Sequence, residues 1–191
     1  MSTAASHAQD LTLLREDLYY HQARVLLLVD AVCRAPGHQK KLDGLTKLAK
    51  LDFLLRYPAL APTVIPGLRQ DDSRLHLSSE DLAEPTEVEA PMIRYKYGPW
   101  DDRYYPVIGA LVARGLVKYA LGRRSSVALK VTPSGQKLAQ ELADAADWSD
   151  VGQRCEAIAE ATAGMTGNAL KELIYQALAN LLDRPHRQVI R

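Results

Sequence analysis

Five aromatic side chains, Tyr95, Tyr97, Trp100, Tyr104 and Tyr105, crowd the stretch RYKYGPWDDRYYPVIGALVARGLVKY, in a chain with nine tyrosines, two tryptophans and one phenylalanine. Rings gathered at a Gly-Pro step can stack on bases, line a pocket, fill a core junction or dock a protein. Tyr and Trp are favoured where one end of a ring is dry and the other wet, as at an interface. Tyr104 reads as core. Tyr97, Trp100 and Tyr105 read as a partner-binding group, with core packing and base stacking as the alternatives.

Residues with catalytic potential are otherwise scattered. The chain has no Gly-rich phosphate loop ending in Lys-Ser/Thr, no His-Glu-x-x-His and no G-x-S-x-G. The adjacent pairs Asp71-Asp72 and Asp101-Asp102 suit solvation and capping better than metal ligation. Cys33 and Cys155 lie far apart inside apolar helical patterns, without the close pairing of a zinc or redox motif, and read as reduced core residues. The expectation is a protein with no catalytic residue, no metal and no cofactor. An enzyme assembled from dispersed residues is the third-ranked alternative.

Charge is more informative locally than globally. The net charge of +1 gives no overall attraction to nucleic acid or acidic lipid. Yet residues 103–140 hold seven basic side chains and no acid, and residues 34–56 hold six basic side chains against Asp43 and Asp52. Lys47, Lys50, Arg114, Lys118, Arg123, Arg124 and Lys130 are therefore candidate nucleic-acid contacts; the plain alternative is a solvated surface balanced by acids at 71–102 and 141–160. The helix after Trp100 should present Arg103, Val107, Ala110 and Arg114 outward. That stripe lacks the Asn, Gln and Ser that share base reading with Arg, so any DNA contact should be weak and indifferent to sequence.

The elements that must position these residues follow from periodicity. From Leu11, apolar residues recur at helical spacing to Val32, with Arg15, Glu16, Gln22 and Arg24 on the other side, ending before Pro36-Gly37. LDGLTKLAKLDFLLRYP predicts a second helix with Lys47 and Lys50 on an exposed basic face, closed by Pro58. Residues 58–92 read as a long irregular connection with one helical turn at SSEDLAE. MIRYKY predicts a short strand and Gly98-Pro99 a turn; Pro106 belongs in the first turn of a helix running to Gly115. Val117, Tyr119, Val127, Leu129 and Val131 then face one way and Lys118 and Lys130 the other, as in a two-stranded hairpin. Thr132 caps a helix with Pro133 at its first position.

Val151, Cys155 and Ile158 mark another helix, and residues 168–182 a last one. Leu170, Leu173, Ile174, Leu178 and their neighbours make that last helix too apolar for one covered stripe. Leu170, Ile174 and Leu178 are accordingly candidate partner contacts. The fold class expected is mainly α with a small β-hairpin, a winged helix-turn-helix with a C-terminal helical extension. It divides into a flexible tail (1–10), a winged-helix-like domain (11–147) containing the long loop 58–92, and a two-helix extension for partner binding (148–191). The amino-terminal stretch is polar, and VLLLVDAV is interrupted by Asp30, so no membrane span and a cytoplasmic location are expected.

The combination LTKLAKLDFLLRYP, RYKYGPWDDRYYPVIGALVARGLV, VTPSGQKLA and TGNALKELIYQAL resembles the middle components of bacterial ABC-three-component defence systems, the group that includes Lamassu anti-phage systems. The K-Y-G-P-W segment followed by a tyrosine-bearing helix carries most of this likeness. The resemblance implies a non-catalytic winged-helix accessory subunit connecting an SMC/ABC-type ATPase to an effector subunit, often a nuclease. K-Y-G-P is also similar to Panacea antitoxin-type domains. A homodimeric winged-helix regulator or antitoxin, with the apolar C-terminal helices as its dimerisation arm, is thus the competing expectation.

Overall fold

A computed structural model describes residues 17–83, 91–95, 98–123, 126–179 and 185–190. The first described helix, α1 (Leu18–Arg34), starts where the Asp17 side chain accepts a hydrogen bond from the Tyr19 amide at 2.7 Å. It is buried nearly all round between His21 and Cys33, because α5, α6, α7 and β5, defined below, pack against it. Gln22 and Arg24, expected on a solvent side, are inside. The spacing of Leu and Val marks one apolar stripe, but a central helix is covered on every side, and Arg24 enters the core because a carboxylate awaits it there.

A two-residue strand, β1 (Leu42–Asp43), leads through Gly44, at a φ of +99° that favours glycine, into α2 (Leu45–Arg56). Every residue of α2 from Lys47 onward is buried. The exposed basic face expected of this helix is therefore absent: Lys47 and Lys50 retain only 5% and 1% exposure. Their long stems lie along apolar neighbours, as lysine stems can.

Residues 57–83 are not structureless. They form 3-10 turns at Pro58–Leu60 and Ser73–Leu75 and short helices α3 (Ala61–Val64) and α4 (Ser79–Ala83), anchored by buried Val64, Ile65, Leu68 and Leu75. Then β2 (Ile93–Tyr95) pairs antiparallel with β3 (Gly98–Trp100). Gly98 and Pro99 lie in the returning strand, opposite Tyr95 and Arg94, rather than at a turn. The other edge of β2 is covered by the C-terminal segment: the Arg94 amide donates to the Gln188 carbonyl (2.8 Å), and Arg187 and Ile190 donate back to Arg94 and Met92 (2.7 Å each).

Helix α5 (Tyr104–Ala113) carries Pro106 in its first turn and buries Tyr104, Val107, Ile108 and Leu111. Val107 thus faces inward, against the outward stripe expected of it; Arg114 stays exposed. Strands β4 (Val117–Leu121) and β5 (Val127–Val131) form the expected hairpin, and β1 joins it to give a three-stranded antiparallel sheet in the order β1-β5-β4, with Leu42 opposite Leu129. Helix α6 (Pro133–Asp144) follows, with the Thr132 hydroxyl accepting from the Gly135 amide at 3.1 Å.

Helices α7 (Ser149–Ala161) and α8 (Gly167–Ala177) close the chain's hydrophobic core, α7 against α1 and α8 against α2. Cys155, Leu170 and Ile174 belong to the same continuous core as Leu28 and Leu51. The protein is mainly helical with a small antiparallel sheet. No helix among the described residues is long and apolar enough to cross a membrane.

Candidate functional site

The segment bearing the aromatics is held from behind by a buried charge network. Asp52, on α2 and fully inside the core, accepts from Arg24 Nε (2.8 Å), from Arg56 Nη2 (2.6 Å) and from the Tyr104 hydroxyl (2.7 Å). Arg56 also meets Asp101 at 2.8 Å, and Asp101 accepts from the backbone amide and guanidinium of Arg103. His21 lies between Arg24 and Arg103, with each guanidinium 2.7 Å from one of its ring nitrogens. A neutral imidazole has one acceptor nitrogen and takes one of the two as donor.

Burial raises the pKa of a carboxyl. Here that effect is overridden: the charges of Arg24 and Arg56 hold Asp52 well below the usual carboxylate range, and Arg103 and Arg56 hold Asp101 at about 2. Tyr104 is pushed up by burial and by the Asp52 charge, so it keeps its proton and donates. The network spans α1, α2 and the start of α5. It thereby fixes where Trp100 and Tyr105 stand.

In front of it opens a cleft of about 390 Å³, walled by Leu45, Thr46 and Lys50 of α2, by Tyr95, Pro99, Trp100 and Tyr105, and by Asp102 with Arg187 at the rim. The Trp100 ring is edge-on to Tyr104 (5.3 Å between centroids) and tilted against Tyr95 (5.8 Å) and Tyr105 (6.1 Å). The His186 ring is also tilted against Tyr95, at 5.1 Å. Trp100 is half-buried, whereas Tyr105 is 65% exposed. The rim pair, Arg187 with Asp102, is 2.6 Å apart and open to solvent.

Lys50 forms the floor. It lies so close to Gly98, at a φ of +105°, that a Cβ there would stand 3.1 Å from Lys50 Cε and 3.2 Å from Nζ. Among the described residues Lys50 has neither a hydrogen-bond partner nor an ion pair. Burial, with Lys171 nearby, lowers its pKa to about 8. Lys47 is lowered to about 8 as well, again chiefly by burial, but it sits in a separate recess and is satisfied there. It donates to the Met165 carbonyl (2.6 Å) and to His38 Nδ1 (3.0 Å), while His38 Nε2 donates to Ala159 O.

The other candidates disperse. Lys118 and Lys130 stand directly opposite each other across β4 and β5. Arg114 lies over the Tyr19 ring, 5.0 Å from its centroid, and Arg123 meets Asp43 at 3.5 Å. Leu170 and Ile174 are consumed by the chain's own core, which removes them as partner contacts, while Leu178 is partly buried against it. Tyr97 and Arg124 lie outside the described residues. Among the described residues no group of three or more His, Cys, Asp and Glu could hold a metal ion.

No family model, curated protein or solved structure matches this chain. In the sequence the crowded aromatics stand out, Lys50 reads as an exposed cation rather than as the floor of a cleft, and the brace goes unread. The available signal was Asp52 followed four residues later by Arg56 inside an otherwise apolar run, a pair that helix geometry sets side by side and that burial would make obligatory.

Proposed function

We propose that the chain is a non-catalytic winged-helix accessory subunit of a bacterial anti-phage defence complex, connecting an SMC/ABC-type ATPase to an effector subunit and adding sequence-independent DNA contacts. The observation that carries the subunit role is the braced aromatic cleft. Trp100 and Tyr105 are held by a rigid buried network yet remain partly open to solvent, and aromatics fixed in place before binding lose little freedom on docking. The winged-helix reading rests on the succession α1, β1, α2, α5, β4, β5 and on the strand order β1-β5-β4. The DNA reading rests on Lys118 facing Lys130, since like charges directly opposite destabilise a strand pair unless an anion lies between or near them.

Affinity purification of the protein expressed from its native operon tests the subunit role. Recovery of a large ATPase with it, lost on Tyr105→Ala, is expected. Recovery of only itself, or of a small toxin, overturns this reading in favour of a homodimeric regulator or antitoxin. That second reading has its own support in the outer half of the hairpin, where Tyr119, Leu121 and Val127 leave an apolar face 49–74% exposed and free for self-association.

A further inference from the structure

We propose that the aromatic cleft is a binding site for a carboxylate carried on an aromatic or apolar body. Three independent features converge on it. The first is Lys50, an ammonium at 1% exposure with no hydrogen-bond or ion-pair partner among the described residues, lining an open cleft. An ammonium so little exposed is poorly hydrated, and an anion entering the cleft gains more from it than from a surface lysine. The second is the amino-terminal end of α2. Its first residues, Leu45 and Thr46, line the same cleft, and its cap, Gly44, supplies no side-chain hydrogen bond to its first amides. Thr46, one turn before Lys50, adds a hydroxyl to the same wall. The third is the apolar lining of Tyr95, Trp100 and Tyr105, which suits a planar or hydrocarbon body.

The charges around the cleft select a carboxylate over a phosphate. Among its lining residues Arg187 is already engaged by Asp102, and Lys171, the nearby cation that acts on Lys50, is engaged by Glu172 at 2.9 Å. That leaves one ammonium for one negative charge. Asp102, on the rim, would repel a phosphate dianion more strongly than a carboxylate. Gly98 leaves room for the end of Lys50, because a side chain at that position would crowd its Cε and Nζ. The carboxylate can be a free organic acid or an Asp, Glu or C-terminal carboxylate presented by another protein.

Isothermal titration of the full chain with phenylacetate, phenylacetamide and phenyl phosphate tests the site. Two peptides, Ac-Leu-Phe-Glu-Phe-Leu-NH2 and its Gln counterpart, separate the sources. Each carboxylate should bind saturably and at least about tenfold more tightly than its amide, as a charge-assisted hydrogen bond to a buried ammonium requires. Phenyl phosphate should be weaker than phenylacetate. Lys50→Met should remove the preference for acid over amide while retaining weak binding of the aromatic body; Tyr105→Ala should weaken acid and amide alike. A peptide preferred over phenylacetate assigns the site to protein-borne carboxylates, and the reverse assigns it to free acids. Equal binding of acids and amides, a preference for phenyl phosphate, or a Lys50→Met protein that still prefers the acid overturns the proposal. Binding of phenylacetate needs no ATPase or effector, so this site and the subunit role fail separately.

Discussion

Lys50 and Gly135 show how single residues carry information that burial alone hides. The Lys50 amine has a pKa of about 8 in the folded protein against an ordinary 10.5, so the fold tolerates its neutral form better than its charged one. From pH 8 upward the unfolded lysine still holds a proton that the folded one sheds; the unfolded state binds more protons, and stability rises with pH. Lys47 adds to the same trend. Above about pH 9 the Cys33 thiol and the Tyr104 hydroxyl, both raised by burial, act in the opposite sense. Denaturant melts between pH 7 and 9 should therefore show stability climbing. Lys50→Met should raise stability at pH 7 by about 1–3 kcal/mol, by removing a charge that burial disfavours, and should flatten the climb. Gly135 illustrates the opposite hazard: a Cβ there would collide with the Leu116 carbonyl oxygen, a backbone atom that cannot swing aside. Gly135→Ala should destabilise by about 2 kcal/mol or more, the range of overpacking against rigid neighbours, read as a lowered Tm.

At the scale of elements, the brace of Arg24, Asp52, Arg56 and Asp101 joins α1, α2 and α5 more specifically than apolar packing does. Asp52→Ala would leave Arg24 and Arg56 without their shared counter-charge inside the core. It should cost about 3–5 kcal/mol of stability, the range for breaking a buried pair, measured by urea denaturation, whereas Tyr105→Ala should stay within about 0.5 kcal/mol, as for an exposed residue. Because Asp52 and Asp101 are held below their unfolded values, their contribution is complete above about pH 4 and fades as acid protonates them in the folded state. How much of this was legible in the sequence differs by element. The helix of Tyr104 to Ala113, the hairpin of Val117 to Val131 and the Thr132-Pro133 helix start follow from period and capping, which are local. Strand β1 does not, since two residues carry no alternation, and neither does the placement of the C-terminal segment, which runs along β2 through backbone hydrogen bonds with Met92 and Arg94. The burial of the basic residues of α2 is hidden from the sequence for a related reason. A lysine at a polar-looking position is read as solvated, and only the tertiary arrangement of α8, β3 and the 157–167 region covers it.

Across the whole molecule, a net charge of +1 gives no general attraction to a polyanion, so the proposed DNA contact would fall to one face of the hairpin and the basic residues near it. Lys118 is exposed and Lys130 is partly so, with Lys118 directly across from Lys130. Arg123, at the hairpin's far end, is in contact with Asp43 and is less free to meet a phosphate. Two cations that repel each other across a strand pair would be relieved if both met a polyanion. Each phosphate neutralised releases condensed counterions, which makes the affinity fall with salt by a slope of roughly 0.9 per contact on duplex DNA. Lys118→Ala with Lys130→Ala should therefore weaken binding to unrelated duplexes equally and make the log–log salt slope shallower by about 2. The same double variant should not lower the Tm, because it removes a like-charge pair. Fluorescence anisotropy on two duplexes of unrelated sequence, across a salt series, reads both quantities. An unchanged slope would place DNA contact elsewhere on the molecule, and a loss confined to one duplex would replace sequence-independent backbone contact with base recognition.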